Sequence, residues 1–172
     1  AFAPLICMHC QDTPCQKACP SNAIKKGSDG RVVIDESRCD LEQECISACP
    51  YGAIFINEEK EVAEQCDMCQ HRTDVGLAPA CVATCPSGAL EFGDFDDPDD
   101  PITRLAKANG AKAWKEQEGT EPSVLYIGHE TWMEKKANTG VQLDENDSDI
   151  IYEQNKLKKG KIVCATPISP AA

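Results

Sequence analysis

The chain of 172 residues carries 29 acidic and 17 basic side chains, which gives a formal net charge of -12. This charge disfavours a nucleic-acid-binding protein, because phosphates would be repelled by most of the surface. It suits a soluble carrier, or a subunit that docks on a basic partner. Uninterrupted apolar stretches such as 124–127 are only a few residues long, whereas roughly 20 residues are needed to span a bilayer, so we expect no direct membrane insertion.

Cysteine is the dominant feature of the composition: of twelve cysteines, eleven lie between Cys7 and Cys85. Aromatic residues make up only 5% of the chain, so the core needs help from cross-links. An even number of cysteines is compatible with a disulfide scaffold. Disulfide pairing, however, does not require one cysteine spacing to recur with a proline after its last cysteine. Zinc sites also use Cys-x-x-Cys pairs, but a zinc ribbon needs two such pairs, whereas here each pair is followed by Cys-x-x-x-Cys-Pro.

Three cysteine modules follow one another, and each ends in Cys-x-x-x-Cys-Pro. The first has the spacing C-x2-C-x4-C-x3-C-P and the third C-x2-C-x11-C-x3-C-P. The second would be C-x2-C-x2-C-x3-C-P if Glu42 were a cysteine. The modules contain Cys7, Cys10, Cys15 and Cys19; Cys39, Cys45 and Cys49; and Cys66, Cys69, Cys81 and Cys85. Such runs are typical of iron–sulfur proteins.

Short hairpins and helical turns are predicted around these modules. Residues 23–26 and 31–35 flank one turn, and residues 53–56 and 61–63 flank another, so two hairpins are expected. Each Cys-x-x-x-Cys-Pro step predicts a single helical turn that the proline ends. These small elements bury little apolar area, and we expect an α+β fold of ferredoxin-like modules with the clusters as its core.

An acidic loop, 94–101, follows the last module. A calcium loop would need glycine at Asp99 and glutamate at Leu105, so a solvated linker with a helix N-cap fits better. A helix is predicted over 102–117 and a strand over 123–127.

Residues after Gly128 are polar and predict an extended tail that wraps a partner, with ordinary disorder as the alternative. The predicted divisions are a two-cluster ferredoxin-like module at 1–65, a third cluster module at 66–93, a linker, helix and strand at 94–128, and the tail at 129–172.

Ligand sets follow from a rule for two-cluster ferredoxins, in which the cysteine before the proline ligates the other cluster. Cluster 1, a 4Fe-4S cluster, is assigned Cys7, Cys10, Cys15 and Cys49. Cluster 2 is assigned Cys19, Cys39 and Cys45, with its fourth corner at Glu42. Cluster 3, also 4Fe-4S, is assigned Cys66, Cys69, Cys81 and Cys85. This third module has no partner run, so we expect local closure, a missing fourth module being the alternative.

Glu42 decides the type of cluster 2. Without ligation by Glu42, that iron is lost and a 3Fe-4S cluster results; with ligation, a 4Fe-4S cluster survives with one labile iron. Glutamate is longer and harder than thiolate, which favours the three-iron form. Cys164 is expected to be a free thiol rather than a substitute ligand.

Two histidines lie inside or beside the modules. His9 and His71 could ligate iron or donate a hydrogen bond to sulfur, and the complete cysteine sets favour the second role. His129 is interpreted as a surface residue. The sequence shows no Ser-His-Asp set, phosphate loop or paired acid and base, so catalysis by this chain alone is not expected.

Several segments resemble the iron–sulfur subunits of the DMSO reductase superfamily. They are Cys7-Met8-His9-Cys10 through Pro20; Ala48 to Ala53; Cys66-Asp67-Met68-Cys69 with Arg72, Gly76 and Pro79-Ala80-Cys81; and Gly119 to Tyr126. The resemblance runs from about Cys7 to Ile127. It implies two ferredoxin-like halves and a chain of clusters between a molybdopterin or tungstopterin catalytic subunit and a quinone-linked membrane anchor or a cytochrome.

Two departures from the family stand out. Members usually carry a further cysteine-rich module upstream, which pairs with the last one, and this sequence begins without it. The absence of an initiator Met before Ala1 hints at processing or truncation. The second departure is Glu42, although the nitrate reductase branch also lacks a cysteine at this corner and holds a three-iron cluster there.

Three functions are weighed. The first is an electron-transfer subunit of a molybdopterin or tungstopterin oxidoreductase, cytoplasmic or periplasmic and associated with a membrane only through a partner. The second is a free-standing polyferredoxin that shuttles electrons between soluble enzymes. The third is a structural protein in which the clusters only hold the fold.

Overall fold

The computed structural model describes residues 4–128 and the backbone of residues 162–164. The helices are α1 (Pro14–Ala18), α2 (Glu44–Ala48), α3 (Gln70–Thr73), α4 (Ala80–Ala83) and α5 (Pro101–Ala108), with 3-10 turns at Glu36–Arg38 and Glu116–Glu118. The strands are β1 (Ile24–Lys26), β2 (Val32–Ile34), β3 (Phe55–Asn57), β4 (Val62–Glu64), β5 (Leu90–Glu91), β6 (Lys112–Ala113), β7 (Val124–Tyr126) and β8 (Ile162–Cys164). Short helices and hairpins alternate, so the predicted α+β class is confirmed.

Both predicted hairpins are present, the first with shorter strands and the second with strands displaced toward the C-terminus. β1 pairs antiparallel with β2, with Ile24 opposite Ile34, and β3 pairs antiparallel with β4, with Phe55 opposite Glu64. In the first turn the Gly27 N–H donates to the Arg31 carbonyl at 2.8 Å. The helical turns α1 and α2 end at the cysteine before each proline, as the Cys-Pro steps predict.

The predicted helix over 102–117 is wrong in its second half. Asp100 caps the start of α5 by accepting the Ile102 N–H at 2.8 Å, as expected of an N-cap. The helix ends at Ala108 because Gly110 adopts a left-handed conformation (φ 58°) and the Ala111 N–H turns back to the Ala106 carbonyl at 2.9 Å. The chain then forms the short strand β6.

A four-stranded sheet has the order β5-β8-β7-β6. β8 is antiparallel to β7 and parallel to β5, and β7 falls within the predicted strand 123–127. Residues 162–164 come from the predicted tail and here are part of the fold. The other tail residues, including His129, lie outside the described ones.

The core has two main parts, and each contains cysteines. The first core contains Met8, Cys10, Tyr51, Met68 and Val124, and each of these residues is at most 8% exposed. The second lies between the two hairpins and contains, in its most buried layer, Cys15, Ile24, Val32, Cys45, Ile54 and Ala63. Met68 and Val124 therefore pack with the first module across the predicted boundaries at 65 and 93. None of the helices in the described part is long and apolar enough to cross a membrane.

Candidate metal centres

All eleven cysteines between Cys7 and Cys85 are free thiols. The disulfide scaffold weighed from the sequence thus has no bridge in the described part of the chain. Within the same residues, no three histidine, cysteine or acidic side chains converge tightly enough to hold a single metal ion. The thiols instead form groups, described next, each drawn from separate segments of the chain.

The first set comprises the four thiols assigned to cluster 1. Cys7 and Cys10 lie on the loop before α1, Cys15 lies on α1, and Cys49 follows α2. Burial raises the pKa of the Cys15 thiol to about 12, and the neighbouring Cys49 and Cys10 contribute to this rise. Burial likewise raises the pKa of Cys10, with Cys49 adding to the effect. The fold therefore brings Cys49 from the second module to the thiols of the first.

The second set comprises Cys19, Cys39 and Cys45. Burial raises the pKa of the Cys45 thiol, and the nearby Cys19 and Cys39 raise it further. Cys45 on α2 also raises the pKa of Cys15 on α1, and the two helices pack against each other. The two sets are therefore neighbours, and each of the two cysteines that precede a proline lies near thiols of the other module, although its ligation stays a prediction.

Glu42 lies on the loop before α2 and is exposed. Its neighbours Leu41 and Gln43 both have left-handed backbones, with φ of 58° and 65°, which non-glycine residues rarely adopt. The described contacts show neither ligation nor its absence, and the type of cluster 2 stays a prediction.

The third set comprises Cys66, Cys69 and Cys81. Burial raises the pKa of the Cys66 thiol. The Asp67 carboxylate raises it further, and the nearby Cys81 and Cys69 have smaller effects in the same direction. The largest influences on the Cys85 thiol come from its own turn. There the Ser87 hydroxyl and the N–H groups of Ala89 and Leu90 lower the pKa of its thiol to about 7. Local closure of cluster 3 by Cys85 stays a prediction.

Cys85 has the surroundings of Cys19, which lies at the same place in its module. The Cys19 sulfur is 3.4 Å from the Ser21 hydroxyl and accepts the Ala23 N–H at 3.3 Å. The Cys85 sulfur is 3.5 Å from the Ser87 hydroxyl and accepts the Ala89 N–H at 3.3 Å. In the first module this geometry presents the thiol to another module's set.

Backbone N–H groups donate to cysteine sulfur in every module. Besides the two just described, the donors and acceptors are His9 to Cys7 at 3.5 Å, Ala63 to Cys39 at 3.4 Å and Ala80 to Cys69 at 3.4 Å. Such bonds stabilise thiolate, which is the form that binds iron. Grouped free thiols with N–H donors therefore fit iron–sulfur clusters in their donor chemistry.

His9 is fully buried. Its ring Nδ1 accepts the Val32 N–H at 2.9 Å, and its carbonyl accepts the Ser123 hydroxyl at 2.8 Å. Burial lowers the pKa of the ring to about 4, so the ring is neutral. His9 Nε2 is buried and has no hydrogen-bond partner among the described residues. His71, in contrast, is exposed on α3.

Sequence reasoning assigned no role to the segment 119–123, which lies against the first set. Its backbone carbonyls at Glu121 and Thr120 accept the N–H groups of Gln11 and Asp12 at 2.9 and 3.2 Å. The Thr120 hydroxyl is 2.6 Å from that of Tyr51 and lowers the pKa of the Cys10 thiol against the larger rise from burial. The resemblance of Gly119 to Tyr126 to the family was the sequence feature that could have indicated a role for this segment.

Comparisons with known proteins identify the family of the chain. A family described as the 4Fe-4S dicluster domain matches residues 1–95. The tetrathionate reductase B subunit of Salmonella typhimurium is 42% identical over 73% of this chain and 51% of its own length. The iron–sulfur subunit of a putative dimethyl sulfoxide reductase from Halobacterium salinarum is 36% identical over 99% of this chain and 72% of its own.

The selenate reductase beta subunit of Thauera selenatis is 42% identical over 73% of this chain and 39% of its own length. The chain thus spans about half the length of the first of these relatives and less of the third.

Proposed function

This chain belongs to the 4Fe-4S dicluster family, among the iron–sulfur subunits of molybdopterin oxidoreductases, and we propose that it relays electrons for such an enzyme. The relay runs between a molybdopterin or tungstopterin catalytic subunit and a second redox partner, either a membrane anchor or a cytochrome. When bound, the iron–sulfur clusters supply one-electron redox chemistry that amino-acid side chains lack. The chain's own part is to hold the clusters close together and apart from water.

The observation that carries this proposal is that thiols of successive sets lie near enough to influence one another electrostatically. Burial raises the pKa of Cys7 in the first set, and Cys66 of the third set contributes to that rise. Burial also raises the pKa of Cys15 in the first set, and Cys45 of the second set contributes there. The first set therefore lies between the other two, and an electron that enters at one end has a continuous route to the other.

Catalysis is assigned to the partner subunit. The relatives are named as subunits of reductases, which favours a fixed complex over a free-standing polyferredoxin. The net charge of -12 suits docking on a basic surface. We propose that the complex works in the cytoplasm or periplasm and meets a membrane, if at all, through the anchor.

The cofactors proposed are 4Fe-4S clusters at the first and third sets and a 3Fe-4S cluster at the second. Four thiols are assigned to the first set, and Cys10 and Cys49 both influence Cys15. The second set is assigned three thiols, together with the exposed Glu42. The third set needs a fourth ligand, which is Cys85 or a thiol from another segment.

Co-expression with the catalytic subunit tests the function. We expect one stable complex, with iron and sulfide contents that match three clusters per chain. We also expect that pre-reduced clusters are reoxidised when the terminal oxidant is added to the catalytic subunit. A monomer that binds no large partner and exchanges electrons only with soluble carriers would overturn the proposal. Clusters that resist reversible reduction in voltammetry would favour a structural role.

A further inference from the structure

His9 touches two thiol sets at once. Its backbone N–H donates to the Cys7 sulfur of the first set at 3.5 Å. Its ring lies beside the third set, where the Cys66 carbonyl and the Asp67 carboxylate favour the protonated ring and Arg31 opposes it. Since Cys7 and Cys66 are themselves electrostatic neighbours, His9 stands at the junction of clusters 1 and 3.

The hydrogen bonds determine which ring nitrogen carries the proton. The Val32 amide can only donate, so Nδ1, which it reaches at 2.9 Å, is the acceptor. In a neutral imidazole the other nitrogen is then the donor. His9 therefore presents an Nε2–H group, fixed in direction by Val32.

This donor has no partner among the described side chains and backbone groups. Nε2 is buried, and no group of the described residues meets the distance and angle of a hydrogen bond to it. The Cys66 backbone is the competing acceptor, since it favours the protonated ring. An unpaired buried donor costs about 1–3 kcal/mol, so such groups normally have a partner. A cluster held at the third set would supply sulfur acceptors, and the ring interacts with Cys66 and Asp67 of that set.

We propose that the His9 Nε2–H donates a hydrogen bond to sulfur of the cluster held by Cys66, Cys69 and Cys81. His9 then contacts clusters 1 and 3 through its backbone and its ring, and it tunes the step between them. This inference rests on the proposed electron-transfer function.

The expected effect is on the reduction potential of cluster 3. A hydrogen bond to sulfur stabilises the reduced cluster, which carries one more negative charge, and so raises its potential. Removing the donor should lower the equilibrium constant for one-electron reduction about tenfold, which corresponds to about 59 mV.

Two substitutions separate tuning from structure. His9→Asn keeps an acceptor for the Val32 N–H near the position of Nδ1 and loses the donor at Nε2. His9→Gln keeps a donor near Nε2 and loses the acceptor. Asparagine also tolerates the left-handed backbone of His9 (φ 43°). His71→Asn, at an exposed histidine of the third module, is the control.

The measurement is an EPR-monitored redox titration of the cluster-loaded full chain. We expect His9→Asn to lower the potential of cluster 3 alone, and His9→Gln and His71→Asn to leave it near the wild-type value. A histidine labelled with nitrogen-15 should show, by electron–nuclear double resonance, a coupled exchangeable proton on the reduced cluster.

An unchanged potential in His9→Asn, together with no nitrogen or proton coupling, would overturn the proposal and assign Nε2–H to the Cys66 carbonyl. A purely structural role predicts the reverse pattern, with His9→Gln perturbed and His9→Asn intact. Iron content and EPR of the wild-type chain test the clusters separately, so failure of the proposed function is distinguishable from failure of this inference.

Discussion

Glu42 shows how one residue determines the chemistry of a site. It occupies the corner where the cysteine spacing of its module calls for a thiol, and its side chain is exposed beside the second set. An iron without a thiolate ligand at that corner would face solvent. The three-iron form stays a prediction, which rests on ligand chemistry, because a carboxylate is a harder ligand than a thiolate.

Replacing Glu42 by cysteine should convert the second site to a 4Fe-4S cluster. The added thiol completes the four ligands, so we expect one more iron per chain and loss of the EPR signal of an oxidised three-iron cluster. Glu44→Cys, at the exposed neighbouring position that begins α2, should change neither quantity. If the wild-type protein already lacks the three-iron signal, Glu42 ligates iron and the prediction is wrong.

At the scale of elements, the segment 119–123 closes over the first set through a buried hydroxyl pair. Tyr51 and Thr120 are 5% and 6% exposed, and their hydroxyls are 2.6 Å apart. The pair is buried, and the Thr120 hydroxyl also reaches the Cys10 thiol of the first set. This pair joins the second module to a segment nearly seventy residues further along the chain.

Thr120→Val should cost about 1–3 kcal/mol of stability because it leaves the Tyr51 hydroxyl buried without this partner. Tyr51→Phe should also destabilise, and the double variant should lose less than the sum of the two losses. The measurements are the denaturation midpoint and the hydrogen exchange of the Gln11 and Asp12 amides, which bond to this segment. Thr84→Val, at an exposed threonine of the third module, is the control. Strictly additive stability losses would contradict the coupling between Thr120 and Tyr51.

Elements that depend on local signals were predictable, and their ends were less so. Both hairpins and the cap at Asp100 follow from turn and cap residues near in sequence. The predicted helix continues through Gly110, whereas α5 ends at Ala108. Gly110 was the residue that could have indicated this end. Strand β8 was missed because a strand inserted from 162–164 depends on partners distant in sequence.

At the scale of the whole molecule, the clusters replace much of an ordinary core. Cys10 is part of the first core, and Cys15 and Cys45 lie in the second. Burial and the neighbouring thiols raise the pKa of Cys15 to about 12, so without iron this thiol is protonated and contributes no ligand bond. Cluster assembly must therefore release protons and supply folding free energy.

Anaerobic removal of iron by a chelator should unfold at least the part of the chain up to residue 93. We expect loss of cooperative unfolding and of amide protection in both hairpins, measured by circular dichroism and hydrogen exchange, with recovery when iron and sulfide are restored. Rising pH should favour reassembly, since the raised thiol pKa values make deprotonation the limiting requirement. An apoprotein that still unfolds cooperatively would show that apolar packing alone holds the fold.

The sequence by itself determined the kind of protein: repeated cysteine spacing, the prolines that end each run and the hairpin turns all act over a few residues. It also indicated which modules exchange cysteines, although ligation stays a prediction. Only the tertiary structure brought Cys7 near Cys66 and Cys15 near Cys45. It also decided that the His9 ring is buried near Cys66 and that 119–123 lies against the first set. Those relations come from long-range packing, such as the Ser123 hydroxyl on the His9 carbonyl across 114 residues, and no local periodicity records them.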